Sequence, residues 1–150
     1  MPSKQQPFRD GYPNRLGLKG WLVGGRWGPD RYLYALHRLT GLALLAYFIA
    51  HIFVTSTRAL GEEQWQAAMG TVSGPLFVLG EYLVFVAFAF HAVNGLRLAL
   101  AEVGIGTGPP IEPIYPYKTS LDSQRPWVVL ALLVIAVLVV LGALDFFVWQ

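Results

Sequence analysis

Trp127–Leu144 holds no polar side chain at all, and a run of that kind decides the solvent before it decides the fold. A helix rises about 1.5 Å per residue and needs about 20 residues to cross the hydrocarbon of a bilayer. Two earlier windows reach that length. Leu33–Thr55 is broken by His37, Arg38, Thr40 and His51, and Pro75–Ala101 by Glu81, His91, Asn94 and Arg97. The windows are continuously apolar and lack the alternation of a barrel strand. With only 13% charged residues and a mean hydropathy of +0.48, little is left to build a soluble surface. The sequence therefore predicts an all-α integral membrane protein with three transmembrane helices, at about 31–56, 75–102 and 126–149.

Residues 1–30 read as a polar, Gly/Pro-rich arm and residues 31–150 as the three-helix domain. Trp21 and Trp27 in the arm, with Tyr32 and Tyr34 after it, suit a membrane interface. Asp30 is placed to N-cap the first helix. The first apolar run begins too late for a secretory signal, and the arm is too poor in Ser for a presequence. Lys4, Arg9, Arg15, Lys19, Arg26, Arg31 and Arg38 precede or open the first helix, whereas the next connection offers Arg58 against Glu62 and Glu63. The positive-inside rule then puts the N-terminus and the second connection in the cytoplasm and the C-terminus outside, in a cell's inner (cytoplasmic) membrane. This asymmetry accounts for the net charge of +2, so no nucleic-acid role is needed. Glu62–Met69 reads as a short helix on the outer surface, and 102–125 as a Gly/Pro-rich inner connection. With no cysteine, neither disulfides nor iron–sulfur ligation can come from this chain.

All three histidines fall in or at the rim of the first two spans: His37 and His51 in one, His91 in the other. Imidazole in hydrocarbon is costly without a partner, so each is a functional candidate. On helical spacing, His37, Gly41, Leu44, Phe48 and His51 form one stripe with Thr40 at its edge, and Val84, Phe88, His91, Gly95 and Leu98 form another. A glycine one turn after each of His37 and His91 allows a flat macrocycle or a second backbone to approach. Counted from the cytoplasmic ends, His37 lies about 9 Å deep, His51 about 30 Å and His91 about 15 Å. His51 and His91 are thus too far apart in depth to hold one haem iron between them, and an opposite axial ligand for His91 is expected from another subunit. Histidine on both faces of an iron suits electron transfer. The bland alternatives are an interhelical hydrogen bond for His91 and simple hydration for His51.

His37-Arg38-Leu39-Thr40-Gly41 resembles the His-Arg-x-Ser/Thr-Gly signature of complex II membrane anchors, the cytochrome b subunits of succinate:quinone oxidoreductases. Phe90-His91-Ala92-Val93-Asn94-Gly95-Leu96-Arg97 is similar to that family's aromatic-His-x-x-x-Gly-x-Arg motif. The likeness covers residues 31–104, in motif order and spacing. It implies that His91 is the axial ligand of a haem b, and that Arg38 and Thr40 line a quinone pocket near the cytoplasmic surface. It implies a haem propionate or quinone contact for His37, a propionate contact for Arg97 beside Gly95, and a second haem for His51 in members that carry two. Where some members have a histidine after the arginine, this chain has Leu98.

The function implied is the membrane-anchor haem b subunit of succinate dehydrogenase or fumarate reductase, not catalytic alone. It would hold flavoprotein and iron–sulfur subunits at the membrane and help reduce ubiquinone or menaquinone. Three helices with too few paired ligands imply a second small membrane-anchor subunit and a haem-binding bundle shared with it. The rivals are a haem b anchor of another quinone-linked oxidoreductase, and a structural anchor whose histidines bind nothing.

Overall fold

The computed structural model describes residues 29–109, 112 and 123–149, and all regular structure among them is helical. Helix α1 runs Pro29–Ser56 and passes into a 3₁₀ turn, Thr57–Leu60. Helix α2 spans Glu62–Thr71, α3 Pro75–Glu102 and α4 Arg125–Phe147. Three segments are long and apolar enough to cross a membrane: Tyr32–Leu60, Pro75–Glu102 and Arg125–Phe147. Asp30 lies inside the first turn of α1, because that helix already starts at Pro29. The arm with Trp21 and Trp27, and most of the connection from 110 to 122, lie outside the described residues. By its internal contacts the chain divides after Tyr34. The helix pairs and cavities below belong to the second unit, residues 35–150.

The ends of α3 follow from local chemistry. Gly74 takes φ +112°, a conformation closed to side-chain-bearing residues, and Pro75 then supplies the fixed φ suited to a first helical turn. At the other end Gly104 adopts φ +86°. The Ile105 N–H donates to the Leu100 carbonyl at 2.9 Å and the Gly104 N–H to Ala101 at 3.0 Å. That pair of bonds is a Schellman motif, and it satisfies carbonyls a helix end would otherwise leave orphaned.

Helices α3 and α4 pack antiparallel. The Tyr82 hydroxyl donates to the Val139 carbonyl at 3.1 Å, and the ring of Phe85 fills the notch left by Gly142. Phe146 stacks at a tilt against both Tyr82 and Phe85. Ala89, Phe90, Val128, Ala131 and Ile135 are buried along this seam. In lipid such an interface is held by close packing and interhelical hydrogen bonds, since leaving the hydrocarbon gains apolar groups nothing. Much of the apolar surface has no partner among the described residues: the most apolar window of α1 is only 6% buried, and Leu42 and Phe53 are exposed. A bilayer is the solvent in which such a surface is stable.

Candidate functional site

The two histidine stripes face each other. The imidazoles of His37 on α1 and His91 on α3 lie face to face, ring centroids 4.0 Å apart and 7° from parallel. Each ring is received by a glycine of the opposite helix. A Cβ on Gly41 would stand 2.8 Å from His91 Cε1, and one on Gly95 would stand 3.1 Å from His37 Cε1. Because both glycines follow a histidine by four residues and the helices run antiparallel, the arrangement is reciprocal. Depth counting left His37 near the interface; the fold brings it into contact with His91. A stack this close leaves no room for a macrocycle between the rings, so His37 and His91 in this arrangement do not grip one iron from opposite sides.

The His91 Nδ1 lies 3.1 Å from the His37 carbonyl oxygen and 3.3 Å from Thr40 Oγ1. Thr40 is buried and its hydroxyl is also 2.9 Å from the Leu36 carbonyl. Arg38, two residues away and about 200° around the helix, is exposed. The Nδ1 of His37 is buried without a hydrogen-bond partner among the described residues. Beyond the stack a cleft of about 700 Å³ opens onto His91, lined among others by Leu44, Phe48, Val84 and Phe88. Members of both sequence stripes thus line it, together with Glu81 and, from α4, Phe146.

Arg97 turns away from the stack toward α4. Its Nε donates to Asn94 Oδ1 at 3.1 Å and its Nη1 to Gln124 Oε1 at 3.0 Å. Asn94 is 2% exposed, and its Nδ2 has no partner among the described residues. Both acceptors are neutral amides, so neither brings a counter-charge to the guanidinium. Gln124 carried no signal in the sequence, because its partner is 27 residues away. His51 is not brought to His91. It lines a cavity of about 330 Å³ with Phe77, its ring 5.7 Å from that of Tyr47, and this cavity adjoins the cleft beside His91 through the shared lining of Tyr47, Glu81 and Val84.

Three membrane-length helices with a histidine pair wedged between two of them define a multi-pass helical membrane protein with nitrogen donors inside its bundle. A family model described as the succinate dehydrogenase/fumarate reductase transmembrane subunit matches residues 22–140, and the chain belongs to that family of complex II membrane anchors. It is 30% identical over 86 residues to the succinate dehydrogenase hydrophobic membrane anchor subunit of Halobacterium salinarum, covering 55% of this chain and 66% of that one. It is 26% identical over 77 residues to succinate dehydrogenase 2 membrane subunit SdhC of Mycobacterium tuberculosis, covering 51% and 57%. With the anchor subunit of Archaeoglobus fulgidus it shares 29% over 73 residues, covering 49% and 62%. The chain thus spans about three-fifths of the length of the curated relatives it matches. No solved structure matches it.

Proposed function

We propose that this chain is the haem b-bearing membrane anchor of a succinate:quinone oxidoreductase, with His91 as an axial ligand. The observation that carries the reading is the hydrogen bonding of His91. A carbonyl can only accept, so the 3.1 Å contact with His37 O requires the proton on Nδ1, and a neutral ring then offers its lone pair at Nε2. Metal-binding histidines commonly have their second nitrogen tied in this way. Among the described residues no group of three or more His, Cys, Asp or Glu could cage a bare ion. A porphyrin brings four nitrogens of its own and asks one ligand of this chain. The apolar cleft beside His91 suits a flat, largely apolar group.

Haem b, when bound, supplies a one-electron carrier inside the membrane. His91 holds it, Gly41 and Gly95 let the helices close around the ring pair, and Arg97, fixed by Asn94 and Gln124, offers a positive charge to a propionate. The exposed guanidinium of Arg38 would hydrogen-bond a quinone carbonyl and stabilise charge gathering there on reduction. The Thr40 hydroxyl is turned inward toward His91, so the quinone reading rests on Arg38. His51 is the candidate ligand of a second haem. The flavoprotein and iron–sulfur subunits, a second small anchor and a cytoplasmic N-terminus complete the proposal.

His91→Ala in the assembled complex tests it. The expected result is loss of a succinate-reducible b-type spectrum while the chain still inserts. Unchanged haem stoichiometry would refute the assignment. A wild-type complex without any Soret band would favour the structural anchor, and haem that succinate cannot reduce would favour another quinone-linked enzyme.

A further inference from the structure

The hydroxyl of Thr40 has an intrahelical explanation, since a threonine in a helix often returns its proton to the carbonyl one turn back. Here that bond is present, 2.9 Å to Leu36 O and 3.0 Å to His37 O, and yet the same oxygen also lies 3.3 Å from His91 Nδ1 across the helix interface. Proton accounting fixes the roles. If Thr40 donated to Nδ1, that nitrogen would have to present a lone pair, and its lone pair would then face the carbonyl oxygen of His37 at 3.1 Å, acceptor against acceptor. The arrangement without that conflict has Nδ1–H shared between His37 O and Thr40 Oγ1, with the hydroxyl proton sent back to α1. Gly41 completes the seat, because a side chain there would push His91 Cε1 out of reach.

We infer that Thr40 is a positioning residue for His91: with the His37 carbonyl it forms a two-acceptor seat that holds the proton on Nδ1, fixes the ring's rotation and commits Nε2 to the iron. The inference rests on the haem reading above and goes beyond it, giving a residue of the first-helix motif a role toward the haem ligand in place of one toward the quinone. An acceptor on Nδ1–H raises the basicity of the ligating nitrogen, which favours the ferric state and tightens the metal bond. Loss of that acceptor therefore raises the midpoint potential of the haem.

The test uses the assembled complex with Thr40→Val, which keeps the shape and removes the oxygen, and Thr40→Ser, which keeps the oxygen. The valine variant is expected to assemble, to bind haem with a more positive midpoint potential and an altered low-spin ferric resonance spectrum, and to release haem to a scavenging apoprotein about 10-fold faster, the lower end of typical effects of such partners. The serine variant is expected to restore all three. A valine variant with wild-type potential, spectrum and haem release overturns the inference, as does one that fails to assemble, since the hydroxyl would then be structural. A serine variant that behaves like valine overturns it as well. If the wild-type complex itself carries no haem, the haem reading falls first and this inference falls with it.

Discussion

Replacing Gly41 by alanine adds one methyl where α1 closes on the His91 ring of α3. The new Cβ would stand 2.8 Å from His91 Cε1 and 3.4 Å from Nδ1. Carbon atoms at rest sit about 3.5–4.0 Å apart, so the ring or the helix has to retreat by about 0.7 Å or more. A retreat of that size along the bond takes the 3.1 Å contact between His91 Nδ1 and His37 O to about 3.8 Å, beyond hydrogen-bond range. Overpacking of this kind costs about 1–3 kcal/mol, and an interhelical hydrogen bond in a membrane contributes about 0.6 kcal/mol on average. If about 2 kcal/mol of that falls on the haem-competent arrangement, retention weakens about 30-fold at 1.4 kcal/mol per decade. Gly95→Ala is the graded control: its Cβ would meet His37 Cε1 at 3.1 Å, and a few tenths of an ångström relieve it. The assay is the haem-to-flavin ratio and the reduced α band of the purified complex, with membrane insertion checked separately. Full haem content and an unshifted spectrum in Gly41→Ala would refute the reasoning, and so would a larger defect in Gly95→Ala.

Two further outcomes are expected. Gly142→Val should disrupt the α3–α4 seam, because the notch is already filled by the Phe85 ring; the loss, about 1–3 kcal/mol or more, should appear as reduced assembled complex at elevated temperature, and a thermal profile like that of the wild type would count against it. Arg38→Ala should lower quinone reduction about 100-fold or more while succinate oxidation with an artificial acceptor persists, since an oxyanion-type donor is worth about 2.7–4 kcal/mol when removed; equal loss of both activities would point to failed assembly.

Much of this architecture was legible before any coordinates. The three spans follow from uninterrupted apolar length. The stripe holding Leu44 and Phe48 on one helix and the stripe holding Val84, Phe88 and His91 on the next follow from helical phase, and these five residues line one cleft. The short helix expected at Glu62–Met69 is present and runs Glu62–Thr71. The contact between His37 and His91 was not legible. Depth counted from an assumed start at residue 31 separated His37 from His91 by about 6 Å, and the observed start at Pro29 recovers about 3 Å of that difference. The rest comes from how α1 and α3 are shifted along one another, which no periodicity encodes.

The amino-acid sequence by itself determined the solvent, the number of spans, the phase of each helix and the residue types able to hold a metal, because these depend on local composition and on a fixed 100° turn per residue. Only the tertiary structure decided which groups meet. It paired His37 and His91 each with the other helix's glycine, set the Thr40 oxygen beside His91 Nδ1, tied Arg97 to Gln124, and kept His51 out of the stack. Those contacts depend on the relative translation and rotation of whole helices, set by where small residues allow two backbones to close.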